Sequence, residues 1–366
     1  MKRTKRTILM LSTALLTASC ALGSDYHTPR SNFIDEWFSQ SHSDKSVKTE
    51  DIKLDWWTIF KDPLLKSYIE QAVKNNNDVK IALANIERAQ ALRRQHGAAF
   101  WPSIDADSGI ERSKTSDKTS SSGNGALNTT YSAGLNASWE LDLFGGNRRA
   151  NEAASAREQS AVADYHAVML STLAQVAQNY YEARGLQKRI ATARKNAALL
   201  KKTSDVIQSR YEAGESSEFD LSRAKGQYQL TRAAIPNLQA EYYASVFTLS
   251  ILLGQPPEAL ISDMQRMQPL PTPPDMVPVG LRSDMLRRRP DIQAAERELA
   301  ASVSDIGAAM SDLFPKFFLT GAAGAQAHLF GDLFEAAAGA WSFGPAMSWS
   351  IFNGGANRAD PSVRPV

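Results

Sequence analysis

The sequence predicts a membrane α+β fold, in which long helices alternate with two-faced strands. Three observations carry that prediction. No proline occurs between Pro102 and Pro236, which leaves room for very long helices. Residues 130–143 alternate strictly between apolar and polar side chains, the mark of a strand with two chemically distinct faces. The arrangement also occurs twice. Asn77-Asp78-Val79 matches Pro290-Asp291-Ile292, and Trp101-Pro102 matches Phe314-Pro315, both at an offset of 213 residues.

The chain opens with Lys2, Arg3, Lys5 and Arg6, an apolar run from Ile8 to Ala18, and then Ser19-Cys20. A positive start, a short apolar core and small residues before a cut describe a secretory leader, residues 1–19, too short to span a bilayer permanently. The single cysteine falls where the cut would, so Cys20 reads as a lipidation site; a buried free cysteine is the plainer alternative. The leader takes four of the 41 basic residues and none of the 39 acidic ones, so the mature chain is near neutral. Residues 20–60 form a lipidated N-terminal segment, and the first repeat runs over 61–254.

Within that repeat a helix precedes a strand at about 103–111, where Asp105, Asp107 and Glu111 alternate with Ile104, Ala106 and Ile110. The stretch 113–129, full of Ser, Thr, Gly and Lys, reads as an exposed loop. The strand 130–143 follows, with Tyr131, Ala133, Leu135, Ala137, Trp139, Leu141 and Leu143 on one parity and Glu140 and Asp142 on the other. A soluble sandwich strand also alternates, but rarely over fourteen residues.

Residues 146–213 then read as one helix of roughly 100 Å at 1.5 Å per residue. Met169, Leu173, Val176, Tyr180 and Ala183 follow 4-3 spacing. After a slip beside Gly185 it resumes through Leu186, Ile190, Ala193, Ala197, Leu200, Ser204, Ile207 and Tyr211, a coiled-coil seam. Gly214 stops this helix, Ser217 and Asp220 resemble a capping box, and a second helix returns to Leu253, kinked at Pro236 and closed by Gly254. The hairpin spans 146–253.

A proline-rich linker, 255–280, leads into a partial second repeat, 281–358, with strands at about 317–329 and 341–351. Both strand pairs end alike, in Gly145-Gly146-Asn147-Arg148 and in Gly354-Gly355-Ala356-Asn357-Arg358. The repeat logic places a second long hairpin after Arg358. Residues 359–366 contain Pro361 and Pro365 instead and cannot continue a helix, so the expectation is a chain without the second hairpin and with impaired transport.

Several function classes are excluded. The charge balance lacks the basic footprint of a nucleic-acid binder. One cysteine and five scattered histidines give no disulfide framework and no metal-ligand spacing. Neither a nucleophile elbow nor a phosphate loop is present, so the chain reads as no enzyme and needs no cofactor. Arg287-Arg288-Arg289 reads as a solvated helix start.

Six landmarks in order then resemble the outer-membrane efflux factors of the lipoprotein branch, the channels of tripartite multidrug pumps and type I secretion systems. They are Asp25-Tyr26…Pro29; Trp56-Trp57…Phe60-Lys61-Asp62-Pro63-Leu64; Trp139-Glu140-Leu141-Asp142-Leu143-Phe144-Gly145; Arg210-Tyr211-Glu212-Ala213-Gly214; Leu252-Leu253-Gly254-Gln255-Pro256; and Leu286-Arg287-Arg288-Arg289-Pro290-Asp291-Ile292. Four strands cannot close a barrel and open edges are not tolerated in lipid. The resemblance implies a homotrimer in which each chain gives four strands to a 12-stranded β-barrel, with antiparallel coiled-coil helices forming a periplasmic α-barrel. Asp105, Asp107, Glu111, Glu140 and Asp142 would face the lumen. The tip formed by Arg210, Tyr211, Gly214, Ser217, Asp220 and Leu221 would meet a periplasmic adaptor protein, which links the channel to an inner-membrane transporter. The chain would sit in outer-membrane lipid as a passive conduit for drugs or other small solutes. A periplasmic coiled-coil scaffold without channel activity is the alternative; the alternating strands count against it.

Overall fold

The computed structural model describes residues 21–28, 47–48, 55–116, 118, 127–270, 277–278 and 286–359. The expected leader, Cys20 and residues 360–366 lie outside the described residues. The chain divides into two units: one holds residues 1–29, 87–160 and 294–366, the other 30–86 and 161–293.

The second unit is helical. Lys61 adopts a left-handed φ of 50° after the short 3-10 turn Trp56–Phe60, and Asp62 then caps helix α1, Pro63–Asn75, by accepting the N–H groups of Leu64 and Leu65. Pro63 at the first helical position loses nothing, since that N–H has no helical partner. Asn76, itself buried, joins three helix ends. Its Oδ1 accepts from the N–H groups of Asp78 and Val79 at the start of α2, Asn77–Ala98, and its Nδ2 donates to the Leu252 carbonyl at 2.9 Å.

That carbonyl ends the long hairpin. Helix α3 runs Gly146–Glu212, 67 residues, and α4 returns over Glu218–Leu252. Of the seam positions read from the sequence, only Tyr211, at the hairpin tip, is exposed; Leu173, Val176, Tyr180, Ala183, Leu186 and Ile190 are all buried. These six pack against Tyr242, Val246, Leu249 and Leu253, with Leu65, Tyr68 and Ile69 of α1 closing the core. Met264 of the short helix α5, Ile261–Gln265, joins them. Pro236 lies inside α4, which continues through it with one backbone hydrogen bond fewer, so the expected kink does not interrupt the helix. Tyr180 donates to Asp62 Oδ2 at 2.6 Å. Burial pushes the phenols of Tyr68, Tyr180 and Tyr181 up to about 12, and the Asp62 carboxylate adds to this at Tyr180. A parallel two-residue ladder, Val47–Lys48 with Val277–Pro278, also belongs to this unit.

The first unit is a sheet with helices at one of its ends. Strands β1, Ser103–Lys114, and β2, Leu127–Leu141, pair antiparallel; β3, Lys316–Ala327, pairs with β2; and β4, Gly339–Ser348, pairs with β3. Among the described residues, the order β1-β2-β3-β4 leaves β1 and β4 as free edges. Helix α6, Pro290–Ser311, leads into β3 as α2 leads into β1, and the short α7, Ala356–Ala359, follows β4 as α3 follows β2. The helices that adjoin the strands, α2, α3, α6 and α7, therefore meet the sheet at the same end, and the 328–338 connection lies at the other.

The duplication survives as one repeated contact. Trp139 Nε1 donates to the Phe100 carbonyl, and Trp349 Nε1 donates to the Leu313 carbonyl, both at 3.1 Å. Phe100 and Leu313 are themselves 213 residues apart. Beneath the sheet, α3 and α6 pack through small residues, Ala153 and Ala156 against Ala300 and Ala301, and Ser160 Oγ donates to the Ala294 carbonyl at 3.1 Å. Such a seam lets helix axes approach closely, so added volume there has no place to go.

Candidate functional site: a two-faced sheet and a helical tip

Residues directly opposite in an antiparallel pair share a face, so the register assigns every strand position to one of two surfaces. Asp105 pairs with Asn136, Asp107 with Gly134 and Glu111 with Thr130, which places the three β1 carboxylates on the face of Ser132, Ser138 and Glu140. Glu140 in turn pairs with Phe318, Ser138 with Thr320 and Ala322 with Ser342. This face carries polar or small residues across all four strands, with Phe318 its large apolar exception. Asn136 Nδ2 donates to Asp107 across the ladder.

The opposite face carries Ile104 and Ile110 of β1, Tyr131, Leu135, Trp139 and Leu141 of β2, Phe317 and Leu319 of β3, and Trp341, Phe343 and Met347 of β4. Trp341, Phe343 and Ile110 are 82%, 70% and 70% exposed, too much apolar area for a face turned to water. From Tyr131 to Leu141 the face runs about 33 Å along β2 at 3.3 Å per residue; tilted by the roughly 40° usual in barrels, it covers about 25 Å. That matches the apolar band of an outer-membrane barrel. Among the described residues no helix is long and apolar enough to cross a membrane, and no cluster of His, Cys, Asp or Glu could hold a metal ion.

Asp142 departs from the sequence reading. The alternation extends to Leu143, but β2 ends at Leu141. The Asp142 carboxylate accepts the N–H groups of Asn147 and Arg148 at 3.2 and 2.9 Å, and its charge pairs with the Arg148 guanidinium at 3.6 Å. It serves the first turn of α3 instead of standing on the polar face. Such a carboxylate is favoured there because the first N–H groups of a helix have no partners of their own.

The strand-to-helix junction holds a feature that sequence reasoning missed. Residues 21–28 lie across it. The Leu22 N–H donates to the Phe144 carbonyl at 3.2 Å, and buried Arg149 donates to the Leu22 and Gly23 carbonyls and pairs with Asp25 at 2.8 Å. Burial works against the Arg149 charge, but the hydrogen bonds it donates to Asp25 and Glu152 outweigh it and hold the guanidinium above its ordinary range. Gly145 has a φ of +79°, and a Cβ there would stand 2.8 Å from Ala21 Cα. The Gly-Gly pair was legible as a repeat landmark; its use as a seat for the N-terminal segment was not.

At the other end of α3 lies the hairpin tip. The N–H of Gly214, at φ +77°, donates to the Tyr211 carbonyl, and the Glu215 N–H donates to the Arg210 carbonyl at 2.8 Å. This double closure is the Schellman stop, which needs a left-handed residue at Gly214. Ser217 caps α4 by accepting the Asp220 N–H at 3.1 Å, and its hydroxyl donates to the Asp220 carboxylate at 2.6 Å. The capping box is thus half formed, because that carboxylate takes the hydroxyl and not the backbone N–H of Ser217. Arg210, Tyr211, Gly214, Ser217 and Asp220 are exposed, whereas Leu221 is buried, 7% exposed. Phe219, 72% exposed in the first turn of α4, is the tip residue that the sequence reading passed over.

Comparison with known proteins decides what this architecture is. Residues 68–255 and 281–362 match the family described as outer membrane efflux protein. The chain belongs to that family. It is 31% identical to nodulation protein T of Rhizobium leguminosarum bv. trifolii over 363 residues, covering 95% of this chain and 73% of that protein. It is 29% identical to the toluene efflux pump outer membrane protein TtgF of Pseudomonas putida, covering 98% and 75%. Among solved structures it is similar to the outer-membrane channel OprN, with 34% identity, a TM-score of 0.85 and coverage of 93% and 75%. The Campylobacter jejuni CmeC outer membrane channel, 22% identical with a TM-score of 0.84, shares the fold. The efflux family is one of channels and not of enzymes, and this member is an outer-membrane component of an efflux pump.

Proposed function

We propose that this chain is the outer-membrane conduit of a tripartite efflux pump, built from three copies that close a 12-stranded barrel. The observation that carries the reading is the four-stranded sheet with two free edges and two chemically opposite faces. A membrane barrel can have no open edge, and three such sheets joined β4 to β1 leave none. Asp105, Asp107, Glu111 and Glu140 then line a water-filled, cation-attracting lumen, and the apolar face meets lipid. The helices extend into the periplasm as an α-barrel. There the tip residues Arg210, Tyr211, Gly214, Ser217 and Asp220, held from beneath by Leu221, meet the helical hairpin of an adaptor that delivers solutes from an inner-membrane transporter. The conduit is passive, and drugs or organic solvents are the solute class, in keeping with the toluene pump similarity. Cys20 carries an acyl anchor, in keeping with the leader before it and with the seat of Ala21 at the Gly145 turn.

The test is fractionation of cells expressing the full chain with labelled palmitate. A labelled, heat-dissociable trimer in the outer membrane that conducts ions in planar bilayers is the expected result. A monomer in the soluble periplasmic fraction would overturn the reading. Label that persists in a Cys20→Ser variant would overturn the anchor alone.

A further inference from the structure

The connection between β3 and β4 holds a cluster that the channel reading leaves unused. Leu329, Phe330 and Phe334 are 66%, 59% and 76% exposed, and two short 3-10 turns, Gly331–Phe334 and Ala336–Ala338, keep them together. Phe330 and Phe334 meet edge to face at 5.6 Å. A connection that only had to turn the chain would need no such side chains, and three large apolar groups in water are costly. Nor is the segment loose: the Glu335 N–H donates to the Asp332 carbonyl, and His328 Nδ1 lies 3.1 Å from the Thr129 carbonyl of β2.

The direction of the cluster tells which medium it serves. Phe330 also packs on Tyr131, with ring centroids 5.7 Å apart and planes at 69°. Tyr131 stands on the apolar face of β2, in the parity of Leu135 and Trp139. The connection therefore folds back over the apolar side of the sheet and away from the carboxylate side. Its anchor strand β2 is an interior strand, flanked by β1 and β3. A neighbouring chain would join at the free edges, so the cluster is not directed at a subunit boundary. Tyr131 lies toward the end of the apolar face opposite the helices, where Leu127 of the same parity is also exposed, and Phe330 and Phe334 prolong that face.

We propose that residues 328–338 form an aromatic foot that inserts into the acyl-chain boundary of the outer leaflet, seating the barrel rim in lipid instead of covering the pore mouth. The inference rests on the barrel reading above. Leu329, Phe330 and Phe334 carry no polar group, so each gains by leaving water for the acyl region, continuous with the apolar face beneath them.

Site-directed spin labelling of the full chain tests it, in vesicles of lipopolysaccharide and phosphatidylethanolamine. Nitroxide is attached to Phe334→Cys, with Phe343→Cys as the apolar-face reference and Ser342→Cys as the polar-face reference. The parent, whose single cysteine is Cys20, sets the background. The expected result is an oxygen-to-nickel-chelate accessibility ratio at position 334 several-fold above that at 342 and close to that at 343. A ratio at 334 like that at 342 would place the connection in water and overturn the foot while the barrel stands. Low access to both reagents at 334 would mean cover by protein and would also overturn it. A Phe343→Cys label open to the nickel chelate would overturn the barrel reading itself. Should the 334 variant fail to assemble, Leu329→Cys replaces it: a lipid-like ratio there supports the foot, and a water-like ratio overturns it.

Discussion

Gly214 allows the turn's own requirement to be separated from the needs of a partner. Its φ of +77° lies where a side chain costs about 1–2 kcal/mol, and an ideal Cβ there meets nothing within 4 Å. Gly214→Ala therefore pays only for backbone strain, whereas asparagine, which tolerates the left-handed region, strains it less. Exchange of the Gly214 and Glu215 amides with deuterium reads the strain directly, because both are closed onto the Tyr211 and Arg210 carbonyls. Opening in Gly214→Ala should rise about five- to thirtyfold, the equivalent of that energy, and in Gly214→Asn by clearly less. The same variants are then assayed for binding to the cognate adaptor. If a helical tip approaches the bare glycine, Gly214→Asn weakens that binding more than its small exchange change accounts for. Unaltered amide exchange in Gly214→Ala would refute the strain argument. Normal adaptor binding by Gly214→Asn would refute the close approach.

Three further outcomes follow from the packing. Asn76→Asp keeps the cap on α2 but turns a carboxylate oxygen toward the Leu252 carbonyl, and should cost about 1–3 kcal/mol, read as a lower thermal midpoint by circular dichroism. Ala301→Leu, at a fully buried position between α6 and α3, overpacks the small-residue seam and should cost about 1–3 kcal/mol in the same assay, whereas Ala301→Ser should be mild. The fold holds the phenols of Tyr68, Tyr180 and Tyr181 neutral, with values near 12 against 10 in the unfolded chain. Their contribution is full below pH 10 and is lost as pH rises toward 12, so an alkaline melt should steepen in that window, and Tyr180→Phe should soften it.

The periodic parts of this chain were legible because a single physical demand governs each position. The seam from Met169 to Ile207 must be covered by a second helix, and the β2 residues Tyr131 to Leu141 must divide between two media. Strand ends were less legible. Past Glu111, β1 continues through Arg112, Ser113 and Lys114, whose side chains give no apolar signal although their backbones pair with Asn128 and its neighbours. At Asp142 the alternation persisted by composition while the carboxylate had been taken up by α3. The buried guanidinium of Arg184, 1% exposed and donating to the Arg266 carbonyl at 2.8 Å, left no mark at all, since a charged residue in a coiled-coil stretch reads as solvated. Long-range seats of that kind, Arg149 on residues 22–25 among them, join segments that no local pattern connects.

The fit of Ala21 against Gly145 has a mechanical consequence. Consecutive Cα atoms are about 3.8 Å apart, so whatever is attached at Cys20 starts one residue from the point where β2 gives way to α3. The acyl chain proposed for Cys20 would act there as a rivet and not as a leash with slack to wander. On the proposed reading, lengthening the chain by a few residues between Cys20 and Ala21 would leave the anchor attached but free the proposed barrel to ride up or down in the bilayer.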